Sequence, residues 1–202
     1  MIRNDVMIDI ETLSTRPNAV ILTIGAIRFN RNDSSKSLPD IKTVKNGLEN
    51  TNLDFFYRRI DIQSCLNVNL VKDSTTEFWW SQQSKEAREE AFNPENRIDI
   101  KQALIELKKW LGHNPFIWAH GACFDPVILD EACKMCGMQQ IWKYFNIRDT
   151  RTLYDIANVT STDLPVATHH ALADCLRQIY GVLLALEKLH HKKLKFLEEE
   201  VI

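Results

Sequence analysis

The chain has 202 residues, 45% of them hydrophobic, enough for one domain with a continuous core that needs neither disulfides nor a structural metal. Charged residues make up 26% and the formal net charge is -2, which excludes a histone-like basic protein and argues against a disordered tail. No apolar run nears the roughly 20 residues of a membrane helix and Met1 to Asp9 lacks the layout of a signal peptide, so a cytoplasmic protein with no membrane partner is expected. Charge nominates no partner by itself, because an enzyme that grips one strand end needs few phosphate contacts. The five cysteines, Cys65, Cys123, Cys133, Cys136 and Cys175, form an odd set that reads as reduced thiols.

In chain order, Val6 to Glu11 predicts a strand, and a second β-rich run, Ala19 to Phe29, follows the turn at Arg16, Pro17 and Asn18, which makes a hairpin. Asn30 to Ser37 reads as a loop, and Asn52 to Ile60, with Phe55, Phe56 and Tyr57, as a third strand. From Thr75 the pattern turns helical. Ser84 to Phe92 is a charge-rich helix, and Ile98 to Leu111 places Ile98, Ala103, Leu104, Leu107 and Leu111 near 3.6-residue spacing. Pro115 to Ala119 predicts a short buried parallel strand, followed by a helix from Pro126 to Met135 that Gly137 stops. Ile141 to Ile147 predicts another strand, Thr150 to Asn158 another helix, and His170 to Glu200 a long helix with one apolar stripe. A meander of strands followed by alternating strands and helices implies one α/β domain, residues 1–202, with a mixed sheet covered by helices.

Three acidic elements stand out. In Asp9-Ile10-Glu11 the two acids share one face of a strand, where they could hold a metal together. With 27 acids in the chain, chance alone yields about one such pair, and most charges are solvated surface. Placement strengthens this pair, because the acids end an otherwise apolar strand where a sheet opens on a crevice and unpaired charge is costly to bury. Asp125 follows His120 to Phe124 at a strand-to-helix junction, where a plain helix cap beside Pro126 is the competing reading. Asp174 begins the last helix, where an acid also simply suits the positive end.

Together these elements resemble the DEDDh exonucleases, the DnaQ-like branch of the RNase H-like superfamily. The resemblance covers nearly the whole chain through D-x-E-T at Asp9 to Thr12, F-D at Phe124 to Asp125 and H-x-A-x-x-D from His169 to Asp174. Asp9-Ile10-Glu11-Thr12-Leu13 running on to Ile24-Gly25-Ala26, with Trp79-Trp80 and Asp149 to Leu153, looks most like compact phage and prophage members, DexA-like or exonuclease VIII-like.

The resemblance implies an RNase H-like mixed β-sheet flanked by α-helices, and a 3′–5′ exonuclease releasing 5′-mononucleotides from single-stranded 3′ ends of DNA or RNA. It implies two divalent ions, Mg²⁺ or Mn²⁺, in keeping with an all-oxygen ligand set. Asp9, Glu11 and Asp174 would hold one ion, Asp9 would bridge to the second, and Asp125 would support that second ion. His169 would deprotonate the attacking water, with His170 its rival by proximity. Thr12 and Leu13 would touch the terminal nucleotide, Phe124 would pack near the substrate, and a homodimer is allowed. Gly121 stands where many members have an Asn that contacts the nucleotide. The alternative function is a binding or adaptor domain that kept the fold without turnover.

Other signals have plainer readings. His120, Cys123, Cys133 and Cys136 suggest zinc by spacing, yet fit an apolar helix. Trp79 and Trp80 could stack bases, but neighbours on a helix cannot both face one way. Arg58-Arg59 and the Lys188 to Lys195 cluster, with Glu198 to Glu200 nearby, could bind phosphate or be solvated faces.

Overall fold

The computed structural model describes residues 4–39 and 52–199, the last eight of these as helical backbone alone. The strands are β1 (Asp5–Thr12), β2 (Ile21–Phe29), β3 (Phe55–Ile60), β4 (Arg97–Ile98), β5 (Phe116–Ala119) and β6 (Ile147–Asp149). They form one sheet in the order β4-β3-β2-β1-β5-β6. The β1–β2 and β2–β3 pairs are antiparallel, whereas β3–β4, β1–β5 and β5–β6 are parallel. This is the mixed sheet of the RNase H-like fold.

Seven α-helices cover the sheet among the described residues: α1 (Ile62–Asn67), α2 (Ser74–Ser81), α3 (Lys85–Phe92), α4 (Ile100–Leu111), α5 (Asp125–Met135), α6 (Thr150–Ala157) and α7 (Ala171–Glu199). Five of them start on an acid or serine that accepts a backbone N–H of the first turn: Asp61, Asp73, Ser84, Asp99 and Asp149. Such caps satisfy donors that a helix start leaves free. Among the described residues no helix is long and apolar enough to cross a membrane.

Strand alternation sorts β1 between two cores. Val6, Ile8 and Ile10 pack with α4 and α5 residues such as Leu104, Leu107 and Leu129. Met7 packs on the opposite side with Leu172, Leu176, Ile179 and Leu183 of α7. Asp9 and Glu11 share the Met7 face and so point toward α7. Gly25, the β2 residue opposite Asp9, lets the start of α7 settle onto the sheet: a Cβ there would lie 2.7 Å from the carbonyl carbon of Ala171. Gly25→Ala is therefore expected to cost roughly 1–3 kcal/mol of stability through overpacking, measured by denaturant melts.

Several boundaries differ from the sequence reading. The predicted helix at Ile98 begins at Ile100, because Asp99 caps it and Ile98 instead pairs with Ile60 in β4. The predicted strand Ile141 to Ile147 is mostly not a strand. Tyr144–Asn146 forms a 3-10 turn, exposing Tyr144 and Phe145, and pairing with β5 begins only at Ile147. Helix α1 precedes the point where helix was expected; its six residues are too few to display a period. The end of the Lys188 to Lys195 cluster and the side chains of Glu198 to Glu200 lie outside the described residues.

Candidate active site

Strand β1 pairs with β5 only from Asp5 to Met7, so beyond Met7 the two diverge and open a crevice at their carboxyl ends. The backbone N–H of Ile10, freed on that edge, donates to Asp125 Oδ1 at 3.1 Å. Asp125 is the first residue of α5 rather than its cap: Phe124 holds the cap position and supplies no side-chain bond. The carboxylate thus ties α5 to β1 immediately between Asp9 and Glu11.

Asp174 arrives from the first turn of α7. Its Oδ1 accepts the Thr168 N–H at 3.0 Å and its Oδ2 accepts the His169 N–H at 2.9 Å. These bonds fold the preceding loop so that His169 adopts φ of 53°, a left-handed conformation uncommon outside glycine. Ligand-capable atoms of Glu11, His169 and Asp174 all lie within 4.8 Å of one another.

Two tryptophans fix the His169 ring. Trp80 is buried and donates its indole N–H to the Thr12 carbonyl at 2.8 Å. Trp79 is partly exposed and meets His169 edge-on, with ring centroids 5.0 Å apart. His170 faces elsewhere: its Nδ1 accepts the Leu172 N–H at 3.2 Å, and its ring stacks on Tyr57. It caps α7, and only His169 of the pair lines the cleft.

The cleft encloses about 620 Å³ and is lined by Asp9, Glu11, Thr12, Phe124, Asp125, His169 and Asp174 among others. Leu13 differs from the expectation, being 3% exposed and packed in the core with Ile10 and Val20. Thr12 lines the cleft with its hydroxyl donating to the Ser14 carbonyl at 2.7 Å. Residues not anticipated from the sequence also line it, chiefly Thr75, Thr76, His120, Arg151, Arg177 and Gln178. Arg177 donates to the Pro165 carbonyl at 2.7 Å. The guanidinium of Arg151 packs beside Gly121, whose φ is +116°, and a Cβ there would lie 3.6 Å from its central carbon. The backbone conformation suits glycine, and a side chain there would lie in van der Waals contact with Arg151.

Burial dominates the electrostatics, with crowding by neighbouring acids second for Asp9 and Glu11. Burial, then Asp125, Glu11 and Asp174, hold the Asp9 carboxyl well above the usual range. Burial followed by Asp174 and Asp125 pushes Glu11 up to about 8. Burial raises Asp125 to about 7, against the opposing pull of the Ile10 N–H. No ion pair relieves any of the four acids among the described residues. Converging oxygen donors with no ion-pair partner, and with Arg151 offsetting only Asp125, fit a hard divalent cation. Burial, with Arg151 and Arg177 nearby, pushes His120 down to about 4, and its Nδ1 shares a 2.8 Å hydrogen bond with the Thr150 hydroxyl.

The other charged signals have structural partners. Arg58 pairs with Glu106 at 2.7 Å, Arg59 with Glu90 at 2.8 Å and Lys188 with Asp163 at 3.2 Å. Cys133 and Cys136 are buried in the core, while Cys123 is exposed.

Residues 4–184 match the model of the 3′–5′ exoribonuclease Rv2179c-like domain. The exodeoxyribonuclease of Enterobacteria phage T4 is 24% identical over 211 residues, covering 90% of this chain and 88% of its own length. Among solved structures, the zinc-bound form of E. coli exonuclease I with single-stranded DNA matches with a TM-score of 0.56 at 11% identity, covering 98% of this chain and 43% of its own. The nuclease domain of 3′hExo bound to rAMP, a DEDDh protein, matches with a TM-score of 0.51 at 11% identity, covering 91% and 92% respectively. The chain therefore spans less than half the length of exonuclease I.

Proposed function

The chain belongs to the Rv2179c-like 3′–5′ exoribonuclease domain family, a DEDDh exonuclease group, and from that premise we propose that it removes 5′-mononucleotides one at a time from the 3′ end of DNA or RNA strands. The observation that carries this reading is the convergence of Asp9, Glu11, Asp125, Asp174 and His169 on one cleft. All five positions hold residue types competent for turnover, which favours an enzyme over a binding domain.

In this reading Asp9, Glu11 and Asp174 would hold one divalent cation, Mg²⁺ or Mn²⁺, and Asp9 and Asp125 would help hold a second. Such ions, when bound, make water hydroxide-like at neutral pH and neutralise charge on the phosphoryl and leaving oxygens. His169 Nδ1 or Nε2 accepts the proton of the attacking water. The water oxygen bonds to the phosphorus of the terminal phosphodiester, the bond from that phosphorus to the upstream 3′-oxygen breaks, and that oxygen takes a proton from solvent water while His169 returns its own to solvent. Trp79 and Trp80 flank the His169 ring, and the Asp174 bonds hold its backbone, for this transfer. Thr12 and Phe124 flank the space for the terminal nucleotide.

Arg151 has no ion pair among the described residues and stands on the cleft wall, an arrangement suited to a backbone phosphate. Arg151→Ala is expected to raise KM for an oligonucleotide more than it lowers kcat. It should also shallow the slope of log affinity against log salt by about 0.7–1. Equal slopes for both proteins would remove Arg151 from the strand contacts.

The family description names RNA and the phage relative's name specifies DNA, so the proposal includes both backbones. The test is digestion of 3′-end-labelled and 5′-end-labelled single-stranded DNA, single-stranded RNA and recessed duplexes with Mg²⁺ or Mn²⁺. Stepwise shortening from the 3′ end that EDTA blocks is the expected result. Binding without cleavage, under every cation, would contradict it.

A further inference from the structure

Gln178 follows Asp174 by four residues, so the two side chains project from the same face of α7 one turn apart. Its Nε2 donates to Asp9 Oδ1 at 2.6 Å. With a cation bound the Asp9 carboxylate is ionised and only accepts, and in that state this bond sets which way the amide points. Gln178 is 3% exposed, and its Oε1 is buried with no donor among the described residues. Covalent geometry keeps that oxygen next to the Asp9 carboxylate, in a residue that lines the cleft.

The backbone carrying this side chain is anchored separately. The Tyr154 hydroxyl, from α6, donates to the Gln178 main-chain carbonyl at 2.7 Å. Gly181 gives the ring room, since a Cβ there would lie 2.5 Å from the Tyr154 Cζ. An amide held this firmly, yet with half its hydrogen-bonding capacity unused in a buried place, is costly as a purely structural residue. A leucine or methionine would fill the same volume without an orphaned oxygen.

We infer that Gln178 is a positioning residue for the cation site: its amide N–H restrains the rotation of the Asp9 carboxylate. The inference rests on the reading of the cleft as a cation-dependent nuclease site. Outer partners of metal-binding carboxylates restrict their rotation, and losing one typically weakens metal binding 10- to 100-fold.

Gln178→Leu and Gln178→Met keep the bulk and remove the polar atoms. Mn²⁺ titrated calorimetrically into EDTA-stripped, dialysed protein is expected to bind both variants roughly 10- to 100-fold more weakly than the wild type. Melting curves of the stripped variants should match or exceed the wild type. At saturating Mn²⁺ the oligonucleotide KM should stay within about twofold of wild type while kcat recovers. Wild-type Mn²⁺ affinity in both variants would overturn the inference, as would loss of the native fold in both, which would make the amide structural. A wild-type protein that binds no Mn²⁺ would instead overturn the cation reading itself, and this inference with it.

Discussion

Asp9→Asn is expected to reduce nucleotide release by on the order of 10³-fold or more, because a bound cation contributes several kcal/mol of transition-state stabilisation and Asp9 is the acid that would serve both ions. Asn keeps the shape and the acceptor that Gln178 engages, so the loss should come from charge rather than misfolding. The same substitution has an opposite effect on stability. The folded-state carboxyls of Asp9, Glu11 and Asp125 are raised, Glu11 to about 8 and Asp125 to about 7. Groups raised in this way give stability that is complete below the unfolded-state carboxyl range and is lost as pH rises through the folded values. The cation-free wild type should therefore melt lower at pH 8 than at pH 5. Asp9→Asn should lessen that fall, and Mn²⁺ should restore the wild type but scarcely affect the variant. Thermal melts of stripped protein at the two pH values read all of these effects.

His169→Ala is expected to lower kcat by roughly 10² to 10⁴, the range for loss of a positioned base. The proximity of His169 to Glu11 and Asp174 also suits a direct ligand, and Mn²⁺ calorimetry separates the roles. A base leaves cation affinity intact when removed; a ligand does not. His170→Ala should leave kcat close to wild type, because that ring is stacked on Tyr57 outside the cleft and acts as a helix cap.

The sequence made the acids legible because the strand period alone puts Asp9 and Glu11 on one face, and because His169 and Asp174 lie within a single turn-and-helix segment. The 115-residue separation between Ile10 and Asp125 was not readable, since their bond exists only where β5 parts from β1. That parting is a property of sheet twist and register and leaves no local pattern. Arg177 and Gln178 did carry a signal: they follow Asp174 by three and four residues, the spacing that stacks side chains on one helix face. Arg151 lay in the Asp149 to Leu153 segment of the resemblance, but its place over Gly121 was not readable, as it depends on β5, β6 and the loop between β5 and α5 meeting in space. Leu13 misled for a related reason. It follows the β1 residues that open on the cleft, but the irregularity between Glu11 and Thr12 precedes it and its side chain turns into the core. The Ile141 to Ile147 run looked like a strand from residue type alone, yet only its last residue reaches the hydrogen-bonding edge of β5.

The decisive measurement is Mn²⁺ binding to EDTA-stripped protein, followed by calorimetry in the presence of a 5′-nucleoside monophosphate, for the wild type and for Asp9→Asn, Asp125→Asn and Asp174→Asn. The account predicts two ions bound per wild-type chain, with each substitution weakening or abolishing at least one. Stoichiometric binding that survives all three substitutions, or no binding by the wild type, would contradict it.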